Sequence, residues 1–162
     1  MYGIELDALG ARFDHVGVAV PRIADAIPIY MTLLGGRFLL ANIEENDGFA
    51  ALQLSFGHDG KFEIIQPYGP ASPLARFLAA YPSGALHHVT FKVDNVRSSI
   101  TAAQNMGLEV VGIDLERSFW QQAYLHPRNT LGVLIQIVQS DTPFPRDPDL
   151  TLDRLLERLD ES

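Results

Sequence analysis

The sequence predicts an α+β fold built from two copies of one βαβββ module, with a short helix at the C-terminal end. Three observations lead there. Phe13-Asp14-His15-Val16-Gly17-Val18-Ala19-Val20 recurs as Leu86-His87-His88-Val89-Thr90-Phe91-Lys92-Val93, and Phe62-Glu63-Ile64-Ile65-Gln66 recurs as Ile135-Gln136-Ile137-Val138-Gln139. Both matches share an offset of 73 residues, the spacing from His15 to His88 and from Glu63 to Gln136. The strand and helix periodicities also follow one another in the same order in each half. Finally, a chain of 162 residues that is 47% apolar can bury a real core in one domain or two fused halves.

Each element has a local reason. Phe13 to Val20 is short, branched and apolar, which marks a strand, and Pro21 punctuates it. Ile23, Ile27, Tyr30, Met31 and Leu34 are spaced mostly by three and four, so a helix is predicted there, stopped by Gly35-Gly36. Arg37 to Ala41 and Ala50 to Phe56 read as strands around a Glu44-Glu45-Asn46-Asp47-Gly48 turn. A second turn at His58-Asp59-Gly60-Lys61, with His58 at the surface, feeds the strand that carries Glu63. The first module is thus placed at residues 12–67. Four prolines punctuate the connector from Pro67 to Gly84 around a helical patch at Leu74 to Tyr81.

The second module, residues 86–140, repeats the order. A strand over Leu86 to Val93 leads to a helix over Val96 to Met106 that Gly107 ends. Strands then follow at Glu109 to Ile113, Trp120 to Leu125 and Gly132 to Val138. Beyond it, Pro143, Pro145 and Pro148 predict an extended or turned segment. Leu152, Leu155, Leu156 and Leu159 share one face of a final helix at 150–160. So short a helix is marginal alone in water, so it is expected to pack on its own domain or on a partner subunit. The whole chain, 1–162, is read as a single domain.

Composition narrows the chemistry. With no cysteine, disulfides, thiolate metal sites and cysteine nucleophiles are excluded, and imidazole, carboxylate and amide remain as ligands. A formal net charge of -8 and pI near 4.9 oppose binding to a phosphate backbone, so no nucleic-acid partner is expected. No apolar run approaches about 18 residues and no signal-like start is present, which predicts a cytoplasmic protein without a membrane span.

Strand alternation puts His15 on one face with Gly17 and Ala19, and Glu63 on one face with Ile65. A carboxylate within Phe-Glu-Ile-Ile is costly to bury unpaired, so it needs a cation or strong donors. Because His15 and His88, and Glu63 and Gln136, are repeat-related, the four are predicted to ligate one divalent ion. Two neutral imidazoles, a carboxylate and an amide would leave the ion with a net charge of about +1, and open positions for water or a bidentate oxygen ligand. Mn, Fe, Co, Ni and Zn all suit these donors. His87 is expected on the opposite strand face, outside the ligand set. Arg117, His126 and Arg128 are the candidate contacts to an anionic small molecule. Phe56, Phe119, Trp120 and Tyr124 are candidates to line a cleft, with core packing as the commoner role for such rings.

The motifs Phe13 to Val20, Glu63-Ile64-Ile65-Gln66-Pro67, Gly84-Ala85-Leu86-His87-His88-Val89 and His126-Pro127-Arg128 before Gly132-Val133-Leu134-Ile135 resemble the vicinal oxygen chelate superfamily. That superfamily includes glyoxalase I, bleomycin-resistance proteins, extradiol dioxygenases and methylmalonyl-CoA epimerase, and the resemblance, over roughly residues 12 to 140, is nearest the epimerases. It implies paired βαβββ modules whose curved mixed sheets enclose a metal cleft, usually in a homodimer, with His15, Glu63, His88 and Gln136 at the metal positions. The epimerase set is His, Gln, His, Glu, so carboxylate and amide are exchanged between the halves here. The epimerase base in the turn between the second and third strands matches Asn46, which cannot act as a base, leaving Glu45 or Asp47 as its substitutes.

The leading expectation is a metal-dependent isomerase, epimerase or lyase that forms an enolate of a small carbonyl compound, an acyl-CoA thioester among the candidates. Glu63, Glu45 and Asp47 are its candidate proton carriers. Two alternatives differ in class: a metabolite- or drug-binding protein of the bleomycin-resistance type, and an iron-dependent extradiol-type dioxygenase. Gln136 stands where the dioxygenases have a glutamate ligand.

Overall fold

The computed structural model describes residues 10–57, 60–141 and 147–161. The turn expected at His58-Asp59 and the residues Pro143 and Pro145 lie outside these. By internal contacts the chain forms two units: residues through Asp14 with those from His88 to the second module's end, and His15–His87 with the C-terminal helix.

The first module comprises β1 (Arg12–Ala19), α1 (Ile23–Ile27), β2 (Arg37–Glu44), β3 (Phe49–Phe56) and β4 (Gly60–Pro67), in sheet order β2-β3-β4-β1. β1 runs parallel to β4 with Gly17 opposite Glu63, and β3 runs antiparallel to β4 with Gln53 opposite Glu63. After α2 (Leu74–Ala80), the second module repeats the topology with β5 (Ala85–Lys92), α3 (Val96–Asn105), β6 (Val110–Asp114), β7 (Gln121–Leu125) and β8 (Leu134–Gln139). Its order is β5-β8-β7-β6; β5 is parallel to β8 with Thr90 opposite Gln136, and Tyr124 of β7 also faces Gln136. The two registers make Gly17 equivalent to Thr90, and Gln53 to Tyr124.

Each module packs its helix on one face of its strands. Ile23, Leu52, Leu54 and Ile64 are fully buried in the first, and Val96, Ala123 and Val138 in the second. The C-terminal helix α4 (Leu152–Asp160), capped by Thr151, belongs to the first core: Leu155 is fully buried there, and Leu152, Leu156 and Leu159 pack around it. Of the two sites predicted for this helix, its own domain is the one found. Among the described residues no helix is long and apolar enough to cross a membrane.

Three elements depart from expectation. The predicted helix from Ile23 stays α-helical only to Ile27 and continues as a π-helical turn, Pro28–Leu33, with Leu34 N–H bonded to the Ile29 carbonyl at 3.0 Å. Pro28 has no N–H to donate and its ring crowds the carbonyl four residues back, so the helix widens. This turns Ile29, Leu33 and Leu34 to solvent, whereas Tyr30 and Met31 pack on the core. β2 runs on to Glu44 because it stays paired with β3 to Phe49, so the turn begins at Glu45. Trp120 precedes β7 rather than opening it.

Gly84 is required where the connector enters β5. Its φ is +87°, and a Cβ there would lie 2.6 Å from the Ala19 carbonyl oxygen.

Candidate functional site

In β1, His15, Gly17 and Ala19 are buried while Val16 and Val18 are half-buried, the alternation expected of a strand with one packed face. His15 Nε2 lies 3.6 Å from Glu63 Oε2, with side-chain exposures of 2% and 15%. The separation exceeds a hydrogen bond. It is about what two donors sharing one first-row ion at roughly 2.1 Å each would show. The other carboxylate oxygen is occupied, since Gln53 Nε2 donates to Glu63 Oε1 at 3.0 Å. Gly17, opposite Glu63, has no side chain to crowd the carboxylate. Glu63 is therefore fixed at one oxygen and turned toward an imidazole at the other.

The second module holds its counterpart differently. His88 and Thr90 are buried on one face of β5, and Gln136 on β8 is 6% exposed. Thr90 Oγ1 donates to Gln136 Oε1 at 2.6 Å, while Gln136 Nε2 donates to Gln122 Oε1 at 2.6 Å and to the Tyr124 hydroxyl at 3.0 Å. Gln122 Oε1 also accepts the Trp120 indole N–H at 2.9 Å. The Gln136 carbonyl oxygen keeps a second lone pair beyond the one that Thr90 uses.

Sequence reasoning named His15, Glu63, His88 and Gln136 but passed over the residues that hold them: Gln53, Thr90 and Gln122. Gln53 had a signal, a lone amide inside the apolar run of β3. Thr90 had another, standing two residues after His88 and so on its face. The buried Asp14, whose carboxylate lies 3.8 Å from Lys92 Nζ, was also missed. His87 lies off the His88 face, edge-on to the Phe77 ring at 4.9 Å.

Residues 14–123 match the Glyoxalase/Bleomycin resistance protein/Dioxygenase superfamily. The chain belongs to this superfamily. Within it, the chain is similar to human mitochondrial methylmalonyl-CoA epimerase, 27% identical over 131 residues that cover 80% of this chain and 74% of the relative. It is also 27% identical to the ethylmalonyl-CoA/methylmalonyl-CoA epimerase of Cereibacter sphaeroides, covering 79% of this chain and 97% of that one. Among solved structures, a hypothetical protein from Bacillus halodurans superposes with a TM-score of 0.74 at 26% identity, covering 84% of this chain and 99% of its own. Methylmalonyl-CoA epimerase from Mycobacterium tuberculosis shares the fold, with a TM-score of 0.73 at 21% identity over 87% and 95% of the two chains.

The other candidates of this superfamily member sit at the surface or half-buried. Glu45 and Asp47 are exposed in the β2–β3 turn, and Glu45 lies 3.4 Å from Arg158 of α4. Arg117 is 3.4 Å from Asp114, and Arg128 is 3.5 Å from Glu109. His126 Nδ1 accepts the Arg128 backbone N–H at 3.2 Å, which makes it part of the turn before β8. Both arginines thus already meet carboxylates of their own module.

Proposed function

We propose that the protein is a metal-dependent epimerase or isomerase that acts on an acyl-CoA thioester through an enolate, with the metal held by His15, Glu63, His88 and Gln136. The observation that carries this reading is the pair of buried His15 and half-buried Glu63 at 3.6 Å, its carboxylate anchored by Gln53. A carboxylate and an imidazole so placed can share one cation, and His88 and Gln136 of the second module are the further ligands proposed for it. The donor set fits a divalent first-row ion: two imidazoles, one carboxylate and an amide oxygen, with no soft ligand. Relatives named as methylmalonyl-CoA epimerases support the substrate class.

When bound, the ion supplies Lewis acidity, polarising a carbonyl oxygen so that the adjacent carbon gives up its proton more readily. The protein's own part is to orient the thioester and carry that proton. Glu63 is the proposed carrier; because Gln53 occupies Oε1 and Oε2 is the oxygen placed to hold the ion, Oε2 would have to release the ion to take the proton. Glu45 and Asp47 are the proposed turn carboxylates, and Arg117, His126 and Arg128 the proposed contacts to the anionic part of the substrate. The superfamily resemblance adds the expectation of a homodimer, which sedimentation equilibrium decides.

The test follows the α-proton of methylmalonyl-CoA in D2O, by NMR, with protein whose metal content is known by inductively coupled plasma mass spectrometry. Near one equivalent of metal per chain and catalysed deuterium exchange are expected. Glu63→Gln, loaded with metal to the same level, is expected to lose exchange by at least about 100-fold, the lower range for a general base. Exchange retained in that variant removes Glu63 from the proton-carrying role. Saturable thioester binding without metal or exchange would replace the whole reading with that of a binding protein.

A further inference from the structure

We infer that Trp120 and Gln122 are positioning residues that decide which end of the Gln136 amide faces the proposed metal centre. The inference rests on the metal reading above and deepens it. The two ends of a carboxamide are nearly equal in size, yet only the oxygen can ligate a cation, so Gln136 is a ligand in one orientation and an obstacle in the other.

Most of the partners around Gln136 accept either orientation. Thr90 and Tyr124 carry hydroxyls, which donate or accept as needed, and Gln122 has an amide that can itself reverse. A concerted reversal of Gln136 and Gln122 would satisfy Thr90, Tyr124 and both amides. The indole breaks that degeneracy. Trp120 Nε1 only donates, so it requires Gln122 Oε1 at 2.9 Å. With that oxygen fixed, Gln136 must present its NH2 to it at 2.6 Å, and its carbonyl oxygen is left on the side of Thr90, on the strand that carries His88. Trp120 is 8% exposed, and its ring has Lys92 Nζ 5.8 Å from its centroid, with the buried Asp14 3.8 Å beyond that ammonium. The indole is thereby held in place from its own unit.

The first module needs no such relay. Its proposed ligand is a carboxylate, whose two oxygens are chemically alike, so whichever of them Gln53 engages, the other can face a cation. Placing the amide in the second module is what creates the need for a donor-only group there.

The experiment measures affinity for Zn2+ and for Mn2+ by calorimetry in wild type, Trp120→Phe, Gln122→Leu, Gln122→Glu and Trp120→Phe/Gln122→Glu. Trp120→Phe is expected to weaken binding about 10-fold, the lower range for residues that orient metal ligands. Gln122→Leu, which removes the acceptor that the indole fixes and leaves Trp120 in place, is expected to do likewise. A glutamate at 122 only accepts, so it restores the Gln136 orientation without the indole, and the double variant is expected to regain most of the loss. Gln122→Glu alone measures what the added charge contributes, and the cycle isolates the coupling. Wild-type affinity in Trp120→Phe or in Gln122→Leu overturns the inference.

If the wild-type protein binds no ion, the metal reading fails by itself, and the relay is read from side-chain amide NMR. One protected pair of Gln136 NH2 signals in wild type, doubled or broadened by exchange in Trp120→Phe, supports it. An unchanged pair overturns it.

Discussion

The two proposed ligand positions of the repeat are filled by a carboxylate and an amide, and the residues around them have diverged to match. Glu63 has Gly17 opposite it and a donor in Gln53; Gln136 has Thr90 opposite and a partner for every polar atom. Replacing Thr90, which is fully buried, by valine keeps the shape but takes the donor from the Gln136 oxygen. It is expected to cost about 1 to 3 kcal/mol, measured by urea denaturation of the metal-free protein. Gln53→Leu acts on the other proposed ligand: Glu63 loses the anchor of Oε1, and metal affinity is expected to fall about 10-fold in a chelator competition. An affinity equal to wild type would show that His15 and the strand alone hold the carboxylate.

The repeat also explains how each helix begins. Gln66 Oε1 accepts the Ile23 backbone N–H at 2.7 Å, and its repeat mate Gln139 accepts that of Val96 at 3.0 Å. Both glutamines close the last strand of a module onto the first turn of its helix, satisfying a donor that has no partner within the helix. The two helices depend on this contact unequally. α3 has a side-chain cap as well, Asn95 accepting from the Ser98 N–H at 2.9 Å, whereas Arg22 before α1 provides none. Gln66→Leu is therefore expected to destabilise by about 1 to 2 kcal/mol and by more than Gln139→Leu, compared by thermal unfolding. Equal losses would mean that the Asn95 cap adds nothing to α3.

For the whole molecule, the terminal helix is part of the first core rather than an appendage. Leu155→Ala is expected to cost about 2 to 5 kcal/mol in denaturant, because its fully buried side chain touches the core that Ile23, Leu52 and Ile64 build. A loss below about 1 kcal/mol would show that α4 is dispensable. Metal binding has its own signature at this scale. A ligand that binds only the native state at about 100 times its Kd adds about 2.7 kcal/mol. For a chain of this length that is a rise of roughly 5 to 10 °C in Tm. The rise is expected with metal, and no rise in His15→Ala/His88→Ala.

What the sequence determined by itself was the repeat and the elements it orders. Periodicity and turn chemistry are local, and a duplication leaves them legible twice, so β1 and β5, β4 and β8, and the positions of His15, Glu63, His88 and Gln136 could be read from the residues. The terminal helix was legible as well, from its leucine stripe, but not the surface it covers. The tertiary structure alone decided the rest. The π-helical turn after Pro28 exposed Leu34 although its spacing fitted a buried face, because a missing N–H and a crowded carbonyl outweighed the pattern. The partners of Glu63 and Gln136 come from neighbouring strands, and cross-strand register, not a pattern within one strand, puts Gln53 opposite Glu63 and Tyr124 opposite Gln136. Register depends on how whole strands pair. The orientation of one amide therefore depends on an indole N–H that no local pattern around Gln136 contains.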